Sequence, residues 1–132
     1  MALRILIVED EQIIAADLAE KVAQLGHEVL GTAMAGEEAI QLAEQLAPDL
    51  VLMDIQLEGA MRGTEAASTI RERTNARVIF ITAFPNALLR DSIEIPPSVC
   101  IRKPFSRGQL EASIRAVTEG PDEKVTASTG ER

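Results

Sequence analysis

The sequence predicts a three-layer α/β domain with a parallel sheet, and three observations carry that prediction. Four short runs are apolar on both alternating faces: Leu3 to Val8, Leu50 to Met53, Val78 to Ile81 and Val99 to Ile101. Strands buried on both faces belong to parallel sheets covered by helices. Helical patterns fall between these runs, so strand and helix alternate along the chain, which implies right-handed crossovers. The 132 residues suit one domain and leave little room for a second.

The elements follow in order. After the first strand, Ile14, Leu18, Val22 and Leu25 share one helical face, and Gly26 is a natural stop. A weaker strand runs from Glu28 to Ala33. Ala39, Leu42, Ala43 and Leu46 mark a second helix before Pro48, and Ala66, Ala67 and Ile70 a third after Gly63. A short helix is expected after Pro85. The last, carrying Leu110, Ile114 and Val117, opens at Ser106, which reads with Gln109 as a capping box. The folded domain is expected over residues 1–119. Residues 120–132 are polar, with Gly and Pro at their start, and read as a disordered tail.

Composition narrows the function. The hydrophobic fraction of 46% supports a real core, which must be built from Leu, Ile, Val, Ala and three Phe because Trp and Tyr are absent. A net charge of -8 argues against tracking nucleic acid phosphates or an anionic membrane surface, either of which needs a basic face. The single cysteine, Cys100, cannot form an intramolecular disulfide, so a reducing, cytoplasmic setting is the simplest reading. The run Leu3 to Val8 is interrupted by Arg4 and is too short for a signal peptide or a membrane span.

The chemistry follows the strands. The first run ends in Glu9, Asp10 and Glu11, the third strand in Asp54, the fourth in Thr82 and the fifth, one residue on, in Lys103-Pro104. In a parallel sheet these residues share the carboxyl edge, where ligands bind at the switch point in strand order. Carboxylates with water make the octahedral oxygen site that magnesium prefers. A further carboxylate can attack phosphorus and form an acyl phosphate. Magnesium, a lysine ammonium and a hydroxyl then carry the charge on the phosphoryl oxygens. Each residue has an ordinary alternative: Asp10 as a helix cap, Asp54 as a solvated acid, Thr82 as a turn hydroxyl, Lys103 as a surface lysine. Those alternatives need four coincidences at four strand ends.

The blocks Ile7-Val8-Glu9-Asp10-Glu11, Leu50-Val51-Leu52-Met53-Asp54, Phe80-Ile81-Thr82-Ala83 and Arg102-Lys103-Pro104-Phe105 resemble, in order and spacing, the four signatures of response-regulator receiver domains. The resemblance covers about residues 2–118. It implies a flavodoxin-like, doubly wound five-stranded parallel sheet of order 2-1-3-4-5 with helices on both faces. It also implies Asp54 as phosphoacceptor, and magnesium held by Glu9, Asp10 and Asp54 with the backbone carbonyl of Gln56. Asp10 is favoured as a direct ligand. Thr82 and Lys103 would bind the phosphoryl group, across a cis Lys103-Pro104 peptide. The implied function is two-component signalling, in which the chain catalyses only its own phosphorylation and dephosphorylation. The implied partners are a sensor histidine kinase or a histidine phosphotransfer protein, and a downstream protein target. A homodimer is left open, and no nucleic acid or membrane is expected.

Two departures bear on output. Cys100 stands where most receivers carry an aromatic residue, and the loop after Asp54 has Glu58 in place of a common proline, with Gly63 one residue late. Three other readings compete. A degenerate receiver would act only as a protein-binding module. An aspartyl phosphatase would want an acid where Gln56 stands. A flavin-binding domain would want a phosphate loop where Glu9-Asp10-Glu11 stands. Three further expectations concern surroundings. Phe84 shields the phosphoryl group, Ile13 is exposed beside the pocket as a donor-docking residue, and residues 83–93 rearrange over Cys100. His27 is expected at the surface.

Overall fold

The computed structural model describes residues 2–57, 59–83 and 100–118. Within them lie strands β1 (Arg4–Val8), β2 (Glu28–Ala33), β3 (Leu50–Asp54), β4 (Arg77–Thr82) and β5 (Cys100–Arg102), and helices α1 (Gln12–Gln24), α2 (Gly36–Leu46), α3 (Gly63–Arg73) and α4 (Arg107–Thr118). All strand pairings are parallel, in one sheet of order β2-β1-β3-β4-β5. That is the order the resemblance implied. The expected helix after Pro85, Phe84, most of the segment 83–93 and the tail 120–132 lie outside the described residues.

Alternation along the strands builds two cores. Leu6, Val8, Val51, Met53, Val78 and Phe80 face one layer, where they meet Ala39 and Ala43 of α2 and Ala66, Ala67 and Ile70 of α3. Ile5, Ile7, Leu50, Leu52, Ile79, Ile81 and Ile101 face the other, against Leu18 and Val22 of α1 and Leu110 and Ile114 of α4. This explains why these strands read as unbroken apolar runs. β2 is the exception: as an edge strand it is mostly half-buried, and its sequence is correspondingly weaker.

Local signals set the helix ends. Gly26, at φ +91°, takes the left-handed turn after α1 at no side-chain cost. Ser106 Oγ accepts the N–H of Gln109, and Gln109 Oε1 accepts the N–H of Ser106, completing the reciprocal cap of α4. The core face of α1 is rotated slightly from the expected one. Ala15, Leu18 and Val22 are buried while Ile14 and Leu25 are only half-buried. Ile13 is 87% exposed, as expected. His27 departs from the expectation of a surface residue: it is half-buried, and its Nδ1 accepts the N–H of Leu3 at 3.0 Å, fastening the start of β1 to that of β2.

The start of α3 is pressed onto the end of β3. Gly63 donates its N–H to the carbonyl of Ile55 at 3.0 Å. A Cβ on Gly63 would stand 2.1 Å from the Asp54 carbonyl oxygen and 2.9 Å from Ile55 Cα. These neighbours are backbone and cannot rotate away. Gly63→Ala is therefore expected to destabilise the fold by about 1–3 kcal/mol, the usual cost of overpacking, and to shift the amide resonances of Asp54 and Ile55. Urea unfolding and a two-dimensional NMR spectrum test this. Unchanged stability would show that α3 can back away from β3 freely.

Candidate functional site

Strand register assembles the site. Val8 lies opposite Met53, so the next residues, Glu9 and Asp54, sit side by side at the sheet's carboxyl edge. Asp54 lies opposite Ile81, and Thr82 opposite Arg102. The N–H of Lys103 donates to the Thr82 carbonyl at 2.8 Å, which brings the lysine to the same edge. Glu9, Asp54 and Thr82 are 2%, 6% and 1% exposed. Burial of this kind contradicts the ordinary alternatives of a solvated acid and a turn hydroxyl.

The charged groups converge. Oxygens of Glu9, Asp10 and Asp54 all lie within 4.8 Å of one another. Lys103 Nζ donates to Glu9 Oε1 at 2.8 Å and stands 3.6 Å from Asp54 Oδ2. Glu9 Oε2 accepts the N–H of Glu11 at 3.2 Å, and Asp54 Oδ1 accepts the N–H of Gln56 at 3.1 Å. Among the described residues, three carboxylates gather around the Lys103 ammonium, so negative charge is crowded there.

Electrostatics record that crowding. Burial, and then the charge of Glu9, push the Asp54 carboxyl up from 3.8 to about 7, against the opposing pull of Lys103 and the Gln56 N–H. Burial alone would lower the Lys103 pKa. The hydrogen bond to Glu9 and the charges of Asp54 and Glu9 outweigh it and hold the ammonium above its ordinary value. Lys103 thus stays charged, while Asp54 ionises only near neutrality. The donor set is all hard oxygen in a compact cluster, and it fits a small divalent cation such as magnesium. An open groove of about 840 Å³ lies at the opposite, amino-terminal edge, near Leu3, Asp49 and Arg77, and none of these site residues lines it.

A family model of the response regulator receiver domain matches residues 5–115. The chain belongs to this family. It is 42% identical over 116 residues to the phyllosphere-induced regulator PhyR of Methylorubrum extorquens, covering 86% of this chain and 43% of that protein. It is 37% identical over 129 residues to the transcriptional regulatory protein PdtaR of Mycobacterium tuberculosis, covering 97% of this chain and 62% of that one. The chain thus spans only part of either relative. The solution structure of the receiver domain of Erythrobacter litoralis PhyR superposes with a TM-score of 0.84 at 32% identity, covering 96% of this chain and 97% of that one.

Of the receiver residues named from sequence, the structure brings Glu9, Asp10, Asp54 and Lys103 into one cluster, puts Thr82 at the adjoining strand end and leaves exposed Gln56 tied to Asp54 through its N–H. The Lys103–Pro104 peptide is cis. Sequence reasoning missed that Lys103 makes its shorter contact with Glu9 rather than Asp54. That pairing depends on side-chain reach, which the order of residues along the chain does not reveal. Cys100 is half-buried against the α2–α3 core, and burial pushes its thiol pKa up. It is a small packing residue there, of low reactivity.

The raised Asp54 pKa has a signed consequence. The folded chain keeps this proton up to about 7, whereas the unfolded chain releases it near 3.8. Between those values the folded state binds more protons, so its stability falls as pH rises. Asp54→Asn removes the effect. Without magnesium, the variant's urea midpoint is expected to gain on wild type progressively as pH rises through that window, and saturating magnesium should narrow the gap. A difference that does not vary with pH would contradict the buried like-charge account.

Proposed function

We propose that this receiver domain is a magnesium-dependent phosphoryl acceptor, in which Asp54 takes a phosphoryl group from a phosphohistidine of a sensor histidine kinase or histidine phosphotransfer protein. One observation carries the reading: a carboxyl group, held beside two others and a charged lysine, has its ionisation opposed by burial and by the charge of Glu9. Such a site is built to be completed by a cation and an electrophile.

Asp10 and Asp54 would hold magnesium directly, with Glu9 beside them and the Gln56 carbonyl completing the protein ligands. A bound magnesium ion supplies positive charge to the phosphoryl oxygens. The ionised Asp54 attacks phosphorus through one carboxylate oxygen. The P–N bond of the donor breaks, its electron pair goes to that ring nitrogen, and the ring leaves as neutral imidazole because its other nitrogen already carries a proton. Lys103, poised between Glu9 and Asp54, stabilises the charge on the transferring group, and the Thr82 hydroxyl binds one of its oxygens. Water later hydrolyses the acyl phosphate and regenerates Asp54. The chain turns over no free substrate, and its output is a changed protein contact or onward phosphate relay in a cytoplasmic setting. No described helix is long and apolar enough to cross a membrane.

Intact-mass measurement with acetyl phosphate and magnesium is expected to add one phosphate to the native chain and none to Asp54→Ala. Lys103→Ala should slow the gain on the order of 100-fold, the usual cost of removing one charge-stabilising donor. Phosphate appearing on Asp54→Ala at the native rate would place the acceptor elsewhere.

The donor has to approach across the rim, where Ile13, 87% exposed at the start of α1, follows Glu9 and Asp10. Ile13→Glu should slow phosphorylation by a protein donor and leave the rate with acetyl phosphate unchanged. Equal slowing with both donors would assign the effect to the pocket or the fold.

A further inference from the structure

The described residues offer a physical connection from Asp54 toward the β2–α2 side of the sheet, away from the β5 position where Cys100 stands. We infer that Met61 couples Asp54 to the amino-terminal end of α2, so that the state of Asp54 is reported at the exposed Met34. The inference rests on the phosphoryl-acceptor reading of Asp54.

The connection is made of close contacts. The Asp54 backbone cannot shift without moving Gly63, whose Cα sits so near that a Cβ would stand 2.1 Å from the Asp54 carbonyl oxygen. The hydrogen bond from Gly63 N–H to the Ile55 carbonyl, at 3.0 Å, ties the same two segments together. Two residues before Gly63, Met61 lies on Gly36, the first residue of α2. A Cβ on Gly36 would stand 2.9 Å from both Cγ and Sδ of Met61. Gly36 is buried, and the α2–α3 layer beneath it is packed with Ala39, Ala43, Ala66 and Ala67, small side chains that leave little slack. Closely packed interiors transmit displacement rather than absorb it. Beyond Gly36, the N–H of Met34 donates to Glu38 Oε1 at 2.9 Å, fastening Met34 to the first turn of α2. Met34 is 47% exposed.

The trigger lies at the carboxylate. Asp54 Oδ1 accepts the N–H of Gln56, so the loop's first hydrogen bond is to the reacting carboxyl group itself. Acyl phosphate formation turns that carboxylate into an ester-like group, a weaker acceptor, and moves negative charge outward onto the phosphoryl oxygens. The backbone around Asp54 adjusts, Gly63 follows it, and Met61 carries the displacement onto Gly36. A flexible thioether also fills core gaps with no signalling role. In that case Met61 would affect stability alone and leave the response of Met34 untouched.

Methyl-13C labelling of methionine separates these readings. Met53, buried in β3 next to Asp54, reports the site itself, while Met61 and Met34 report the connection. With magnesium and beryllofluoride as the phosphoryl stand-in, the methyl signals of Met53, Met61 and Met34 are all expected to shift in the native chain. In Met61→Ala the Met53 shift should remain and the Met34 shift should be lost, and Met61→Leu should restore it. Gly36→Ala, which keeps Met61 but displaces it, should move the Met34 signal before any ligand is added. A Met34 signal that still responds in Met61→Ala, or that stays fixed in the native chain while Met53 moves, overturns the coupling. If Met53 does not respond either, the phosphoryl-acceptor reading fails and takes the coupling with it.

Discussion

The structure turns on a crowding of like charge. Asp54 is held beside Glu9 and Asp10 at the end of a fully buried strand, with the Lys103 ammonium among them. Charged groups removed from water cost free energy unless they are paired and hydrogen-bonded. Lys103 meets part of that demand by bonding Glu9, and the backbone N–H groups of Glu11 and Gln56 meet a little more. The remainder appears as a carboxyl that ionises only near neutrality. A perturbed carboxyl inside a buried cluster of charged groups is the electrostatic mark of a candidate functional site.

The rest of the fold holds those charges in place. Parallel pairing puts every strand's carboxyl end at one edge, and register then selects which residues meet there. The two apolar layers fix that register, since a slip of one residue would turn each strand's core set to the wrong face. Precision is tightest where the chemistry is. Gly63 lets α3 approach the backbone of Asp54 more closely than any other residue would. The same closeness ties the backbone beside the carboxylate to the first residue of α3.

Fold and site were legible in the sequence to different depths. Strands buried on both faces announce themselves as unbroken apolar runs, so the sheet and its helices could be placed before any coordinates. β2 was fainter because an edge strand buries only part of its surface. The acids, threonine and lysine could be gathered from their positions after the strands, because a parallel sheet brings such positions together. Which of them bond to which was not legible. The Glu9–Lys103 pair depends on side-chain reach, and the seat of Met61 on Gly36 on tertiary packing, neither of which leaves a periodic trace. His27 was misread for a related reason: a lone polar residue after a turn carries no sign that its ring nitrogen will meet the N–H of Leu3, twenty-four residues earlier.

That histidine shows how the molecule divides its labour between the two edges of one sheet. At the amino-terminal edge, His27 must be neutral to accept the Leu3 N–H. Burial, and then the chain's terminal amine, lower its pKa below 6.5, against the pull of Glu111. The unfolded chain therefore takes up this proton first as pH falls. The contribution of His27 is fully present above 6.5 and is lost as pH drops through the lowered folded value. Asp54, at the other edge, has the opposite slope, since the folded state holds its proton more tightly than the unfolded chain does. At neutral pH the amino-terminal edge is in its favoured protonation state and the carboxyl edge is not. The two edges thus respond to pH with opposite sign, and the raised carboxyl lies at the edge proposed to take a cation and a phosphoryl group.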